Sequence, residues 1–162
     1  MIRRIHRAAR QLGEELPVVY LENYDMELGA LLTAGVDLWL NNPAKPLEAS
    51  GTSGMKAALN GVPSLSILDG WWVEGHVEGA TGWAFGGQWW EPSDDEADAR
   101  SLRAKLRDPV VPLFYGDPDG WARVMRGAMA INGAHFHVRR MMLEYANRAY
   151  GLPAGAVPPE NG

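Results

Sequence analysis

The 162-residue sequence predicts an α/β fold built on a parallel sheet, and three observations carry that prediction. Val18–Leu21 and Val36–Leu40 are short apolar runs with β-branched and aromatic residues, as in buried strands. The segment between them, Asp25–Thr33, suits a helix that begins after Asn23 and ends at Gly35. Strand, helix and strand at this spacing form a crossover unit, which joins parallel rather than antiparallel neighbours.

The elements follow in chain order. Ile2–Leu12 places Ile2, Ile5, Ala8, Ala9 and Leu12 at helical spacing, with Arg3, Arg4, Arg7 and Arg10 on the other face, so it reads as a solvated amphipathic helix. No capping residue precedes it, and the chain is expected to begin within a domain. Gly13 and Pro17 separate this helix from the first strand. Asn41–Leu47 holds two asparagines and two prolines and forms a loop leaving the carboxyl end of the second strand, the edge where open α/β sheets bind ligands. A helix is expected over Gly54–Asn60 and a third strand over Ser64–Leu68. Asp69–Pro92 is rich in glycine and tryptophan and shows little regular pattern; a loop of that length in a compact domain is more often functional than idle. Ser93 is expected to cap a helix over Asp94–Leu106, Asp108–Asp119 to be a proline-containing connection, and Gly120–Ile131 and Phe136–Tyr150 to be helices. Gly151–Gly162 is rich in proline and glycine and is expected to be a flexible tail.

Composition narrows the function classes. A net charge of −5 argues against a nucleic-acid grip, which needs a basic patch or stripe. The absence of cysteine removes disulfide frameworks and zinc–thiolate sites and agrees with a cytoplasmic location. No apolar run is long enough to span a bilayer. Five tryptophans fall within Trp71–Trp90, where they either pack heavily or face a partner such as a sugar ring. His135 and His137 lack clustered acids, so no metal site is expected.

The stretch richest in chemistry is Glu48–Asn60, E-A-S-G-T-S-G-M-K-A-A-L-N. Small polar residues run into a helix start, where unpaired N–H groups and the helix dipole favour an anion. Lys56 follows within one turn, flanked by Met55, Ala57, Ala58 and Leu59. If those neighbours desolvate it, its amine is activated towards an aldehyde. The residues alone leave a second reading open, a glycine-rich turn whose lysine points to solvent.

This stretch resembles the pyridoxal-phosphate attachment site of the α-glucan (glycogen, starch and maltodextrin) phosphorylases, whose signature E-A-S-G-T-x-x-M-K-x-x-L-N is long and specific. Glu48, Ala49, Ser50, Gly51, Thr52, Met55, Lys56, Leu59 and Asn60 match it. S-G-M-K, L-D-G-W-W at Leu68–Trp72 and G-W-A-F-G at Gly82–Gly86 look like the shorter bacterial and archaeal branch. Muscle-type members have a glycine and an asparagine where this chain has Ser53 and Gly54. E-N-Y-D-M at Glu22–Met26 and R-R-M at Arg139–Met141 extend the likeness to about Tyr150.

The resemblance implies a Rossmann-like fold, the carboxyl-terminal domain of the two-domain GT-B architecture, with flanking helices and a C-terminal helical extension. It divides the chain into residues 1–92, part of the catalytic domain with the cofactor loop and helix; 93–150, a helical segment; and 151–162, the tail. It implies that Lys56 binds pyridoxal 5'-phosphate as a Schiff base and that Thr52, Ser53 and Gly54 hold its phosphate, with Tyr24 nearby. Glu48, Ser50 and Gly51 would bind hydroxyls of the transferred glucosyl residue. The partners implied are α-1,4-glucan and inorganic phosphate; self-association is left open. The cofactor's phosphate would exchange a proton with inorganic phosphate as glucose 1-phosphate is released.

Such enzymes are several times longer. Their amino-terminal domain, and the basic pair that grips inorganic phosphate, have no match here. The chain is therefore expected to be a fragment, or a partner of its missing half, and inactive alone. In the related fold the last helix crosses to the amino-terminal domain, a role that fits Phe136–Tyr150. Two other functions compete: a nucleotide-sugar glycosyltransferase of glycogen-synthase type, against which Lys56 argues, and a non-catalytic interaction module left from a phosphorylase.

Overall fold

The computed structural model describes residues 2–152, so all but the first two residues of the tail expected over 151–162 lie outside the described residues. The chain divides into two compact units between Leu32 and Thr33.

The first unit contains helix α1, Ile2–Leu12, with the predicted bounds. It buries none of its residues, as its alternating arginines suggest. Val18–Leu21 is not a strand: all four residues are exposed and extended without a ladder. A strand requires a partner, and the described residues of this unit contain no other strand. Asn23 does not cap the next helix. It adopts a left-handed conformation with φ 55°, and the Asp25 carboxylate accepts the Leu28 N–H at 2.8 Å instead. Helix α2 spans Met26–Gly35.

The second unit is a three-stranded parallel sheet in the order β1–β2–β3, with β1 at Trp39–Asn41, β2 at Ser64–Ile67 and β3 at Gly82–Phe85. Trp39 pairs with Ser64, and Ser64 with Gly82. The β1 ladder begins at Trp39 rather than Val36, because β2 starts only after Pro63, whose carbonyl accepts the Trp39 N–H at 2.9 Å. Helix α3, Thr52–Leu59, lies between β1 and β2, and the single turn α4, Trp72–Gly75, between β2 and β3. β3 falls inside the segment expected to be irregular.

All four β2 residues are buried, as the centre of a parallel sheet requires. Leu65, Ile67, Trp83 and Phe85 pack on Val110, Trp121 and Val124 in the main core, where the Trp83 and Trp121 rings stack at 5.6 Å. A smaller cluster joins Ala58, Trp71, Trp72 and Ala128, with Met55, Leu68 and Phe136 against it.

Helix α5 spans Asp95–Lys105 and is capped by Asp94, whose carboxylate accepts the Glu96 and Ala97 N–H groups. Ser93, the expected cap, is engaged elsewhere: its hydroxyl accepts the Lys45 N–H at 2.8 Å. Glu78 ties α5 to β3 through an ion pair with Lys105 and a hydrogen bond from the Ala84 N–H. Burial raises its carboxyl, but hydrogen bonds from Lys105, His76 and Ala84 bring it below its ordinary value.

The expected connection after α5 is helical instead. The helix runs on through a wide turn, Leu106–Val110, which contains Pro109, into α6, Val111–Gly116, with Pro112 in its first turn. Helix α7, Pro118–Gly127, continues into a second wide turn, Ala128–Gly133. Helix α8, Val138–Glu144, ends in a third, Tyr145–Ala149.

Candidate active site

The loops after β1, β2 and β3 leave the same edge of the sheet, since all three strands run parallel. The first carries Glu48–Gly51 and delivers α3. It is anchored from below by the second: the Asp69 carboxylate accepts the Glu48 N–H at 3.0 Å and the Gly70 N–H at 2.9 Å, and the Ser50 carbonyl accepts the Trp71 N–H at 2.7 Å.

Glycine is required at two positions of this turn. Gly51 is left-handed, with φ 89°, and a Cβ there would lie 2.8 Å from the Trp71 ring. A Cβ on Gly54 would lie 2.8 Å from Trp71 Nε1. The buried Trp71 indole is thus the floor on which the turn rests.

Gly51 occupies the N-cap of α3 and brings no side chain to its first turn. The Gly51 carbonyl accepts the Gly54 N–H at 3.1 Å, but the Thr52 and Ser53 N–H groups have no acceptor among the described residues. They are free donors at the positive end of a helix dipole, suited to an anion.

The helix begins at Thr52, two residues earlier than expected, and this sets its phase. Ala57 and Ala58 turn inward and are buried, while Lys56 is exposed rather than desolvated by its apolar neighbours. Its amine has no hydrogen-bond or ion-pair partner among the described residues. Lys56 lines a cavity of about 680 Å³ together with Ser50, Thr52 and Trp71. The cavity's far wall comes from the segment before α8 and its first turn: His135, Phe136, His137 and Arg140.

Phe136 meets Trp71 edge to face at 5.2 Å, so the start of the last helical segment docks beside the Lys56 turn. The His137 ring accepts the Arg140 N–H at 3.4 Å, and the Arg140 guanidinium donates to the His135 carbonyl. Arg140 also lies 3.8 Å from Glu144. The cavity therefore brings together the exposed Lys56 amine, the Arg140 guanidinium, the Thr52 end of α3 and the rings of Trp71 and Phe136, an arrangement that suits an anion carried beside an aromatic ring.

Of the sequence-predicted site residues, Ser50, Thr52 and Lys56 line this cavity. Gly51, Ser53 and Gly54 shape the turn, and Glu48 is half-buried at its base. Tyr24 belongs to the first unit, is 68% exposed, and has its hydroxyl over Gly29. Trp71, Phe136 and Arg140 were not assigned to the site from sequence. The aromatic L-D-G-W-W run was the available signal for Trp71 and the R-R-M match at Arg139–Met141 the one for Arg140, though neither said that these residues meet Lys56.

The carbohydrate phosphorylase family profile matches residues 2–97. The chain belongs to that family. It is 41% identical to the maltodextrin phosphorylase of Thermococcus litoralis over 152 residues, covering 92% of this chain and 18% of that protein. It is 43% identical to the glycogen phosphorylase of Aquifex aeolicus, covering 93% and 22%, and 39% identical to that of Mycobacterium tuberculosis, covering 95% and 19%. The chain thus spans about a fifth of the length of these curated relatives. Among solved structures, Anabaena Alr3699/HepE in complex with UDP-glucose superposes with a TM-score of 0.66 at 21% identity, over 93% of this chain and 37% of that one. That likeness shows the fold: part of a GT-B-type α/β domain.

Proposed function

We propose that this chain is the cofactor-holding part of an α-1,4-glucan phosphorylase, with pyridoxal 5'-phosphate anchored at Lys56. The observation that carries the reading is that one cavity receives both the free Lys56 amine and the uncapped first turn of α3. The Thr52 and Ser53 N–H groups and the Thr52 hydroxyl hold the phosphate, and Gly54 lets the turn close over Trp71. Lys56 would be the attachment point for the cofactor's aldehyde. Glu48, Ser50 and Gly51 face hydroxyls of the glucosyl residue. When bound, the cofactor supplies a phosphate whose second pKa of about 6 suits proton exchange with inorganic phosphate.

The attacking inorganic phosphate also needs cationic side chains to hold it, from residues that the matched family motifs do not place in this chain. The reaction, glucan plus inorganic phosphate giving glucose 1-phosphate, then requires the rest of a two-domain enzyme of the cytoplasm.

Incubation with pyridoxal phosphate followed by borohydride reduction should fix one pyridoxyl group, located at Lys56 by peptide mass spectrometry and missing from Lys56→Ala. Equal labelling of Lys56→Ala would overturn the assignment. The 162-residue chain alone should release no glucose 1-phosphate from maltodextrin and phosphate; robust release would show that the site is complete.

A further inference from the structure

A second cavity, of about 290 Å³, opens at the same sheet edge between β1 and α5, away from Lys56. Asp95 and Asp98 line it, with Asn42 and Ser93 beside them and Phe85 and Leu102 as its apolar walls. Asp98 is only 7% exposed, yet no described residue gives its carboxylate a hydrogen bond or an ion pair. The oxygens of so little-exposed a carboxylate reach water only through the cavity they line, and whatever fills that cavity is their source of donors.

A separate observation concerns the segment that leads into Ser93. Trp89 and Trp90 are 54% and 65% exposed and meet edge to face at 5.5 Å. Two large adjacent aromatics left in water mark a contact surface. They are not on a loose loop. Lys45, only 8% exposed, donates from Nζ to the Gly87 carbonyl at 3.1 Å and the Gln88 carbonyl at 2.8 Å. The Glu91 carboxylate accepts the Gln88 N–H at 2.7 Å, and the Lys45 N–H donates to Ser93, which also lines the cavity. One buried cation therefore fixes both the tryptophan platform and the cavity wall.

The ligand must offer hydroxyl donors to a buried carboxylate and an apolar face to an indole. A metal ion is disfavoured, since no group of three or more candidate ligands occurs among the described residues. A sugar meets both demands: its hydroxyls donate charge-assisted hydrogen bonds to carboxylates, and its C–H face stacks on aromatic rings. The volume lies near the lower bound of about 300 Å³ for ligand pockets and suits a single sugar ring, with the next ring of a chain reaching the tryptophans.

We propose that this cavity and the Trp89–Trp90 platform form an oligosaccharide-binding subsite separate from the Lys56 cavity. The chemical class follows from the side chains; the choice of maltoheptaose as probe rests on the family reading. The indole N–H resonances of the chain labelled with ¹⁵N-tryptophan, titrated with maltoheptaose and with cellohexaose, test it. The expected result is saturable shifts at Trp89 and Trp90 with at least one of the two sugars. Trp90→Ala, an exposed change that leaves the fold intact, should weaken binding about fivefold to tenfold, Asp98→Asn should weaken it too, and Lys56→Ala should not change it. If Asp98→Asn fails to fold, Trp90→Ala decides. No shift with either sugar, binding unchanged in Trp90→Ala, or shifts lost in Lys56→Ala would overturn the subsite. So would a platform that responds only to protein concentration, which would make it a self-association surface. Labelling of Lys56 by pyridoxal phosphate is read separately, so either proposal can fail without the other.

Discussion

Two turns at the same sheet edge start helices in opposite ways. The turn after β1 enters α3 through Gly51, with no side chain at the cap and two free N–H groups. The turn after β3 enters α5 through Asp94, whose carboxylate takes the Glu96 and Ala97 N–H groups. Those hydrogen bonds, Ala97 first, hold the Asp94 carboxyl below its ordinary value, although slight desolvation opposes them. The first helix start is left for an external anion; the second supplies its own. The chemistry around each turn follows the same division. An amine and an arginine gather near α3, whereas carboxylates line the cavity at α5. A helix N-terminus is therefore not a binding site by geometry alone, because the residue at its cap decides whether any donor remains.

Three substitutions press on this contrast. The largest expected effect comes from Gly54→Val, which drives a side chain into Trp71. Overpacking of this kind costs about 1–3 kcal/mol, so denaturant unfolding should move to lower midpoint and cofactor labelling at Lys56 should fall with it. Unchanged stability would mean that Trp71 is not the floor of the turn.

Thr52→Asp should separate binding from stability. A carboxylate in the first turn of a helix is favourable by about 0.3–1 kcal/mol, so the chain should unfold no earlier. The same charge repels a phosphate, and the concentration of pyridoxal phosphate needed to label Lys56 should rise about tenfold, equivalent to about 1.4 kcal/mol. Labelling at an unchanged concentration would move the phosphate away from α3.

Asp94→Ala should have the smallest effect: a melting temperature a few degrees lower at neutral pH, with Lys56 labelling unaltered. Because the folded-state pKa of Asp94 is depressed, its stabilisation is present above the ordinary carboxylate value and is lost as pH falls through the lower folded value. The gap between wild type and variant should therefore close below about pH 4. A gap that persists in acid would assign the effect to packing rather than to the charged cap.

The cap residues also mark where sequence stops being sufficient. Ser93 and Asp94 are adjacent and both are good caps; Asp94 takes the role because the Ser93 hydroxyl is held by Lys45, a partner 48 positions away. Asn23 and Asp25 pose the same choice. α1 and β2 were legible because each has one consistent period or one unbroken apolar run. β3 was not, since the three residues between Gly82 and Gly86 carry too short a pattern, and its burial depends on pairing with β2 and stacking on Trp121. Val18–Leu21 shows the converse: a strand-like composition does not form a strand without a ladder partner. For the candidate site, the motif located Ser50, Thr52 and Lys56, while the opposite wall at His135–Arg140 depends on a long-range docking contact of Phe136 on Trp71 that local sequence does not specify.

Trp71 has an optical consequence. Its indole lies directly beneath Gly51 and Gly54 and lines the cavity that receives Lys56. Indole emission overlaps the absorption of a pyridoxyl ring, so energy transfer at that short range would quench Trp71 strongly. If pyridoxal phosphate occupies the site as proposed, the protein carries its own gauge of loading, read as a loss of tryptophan emission with no label added.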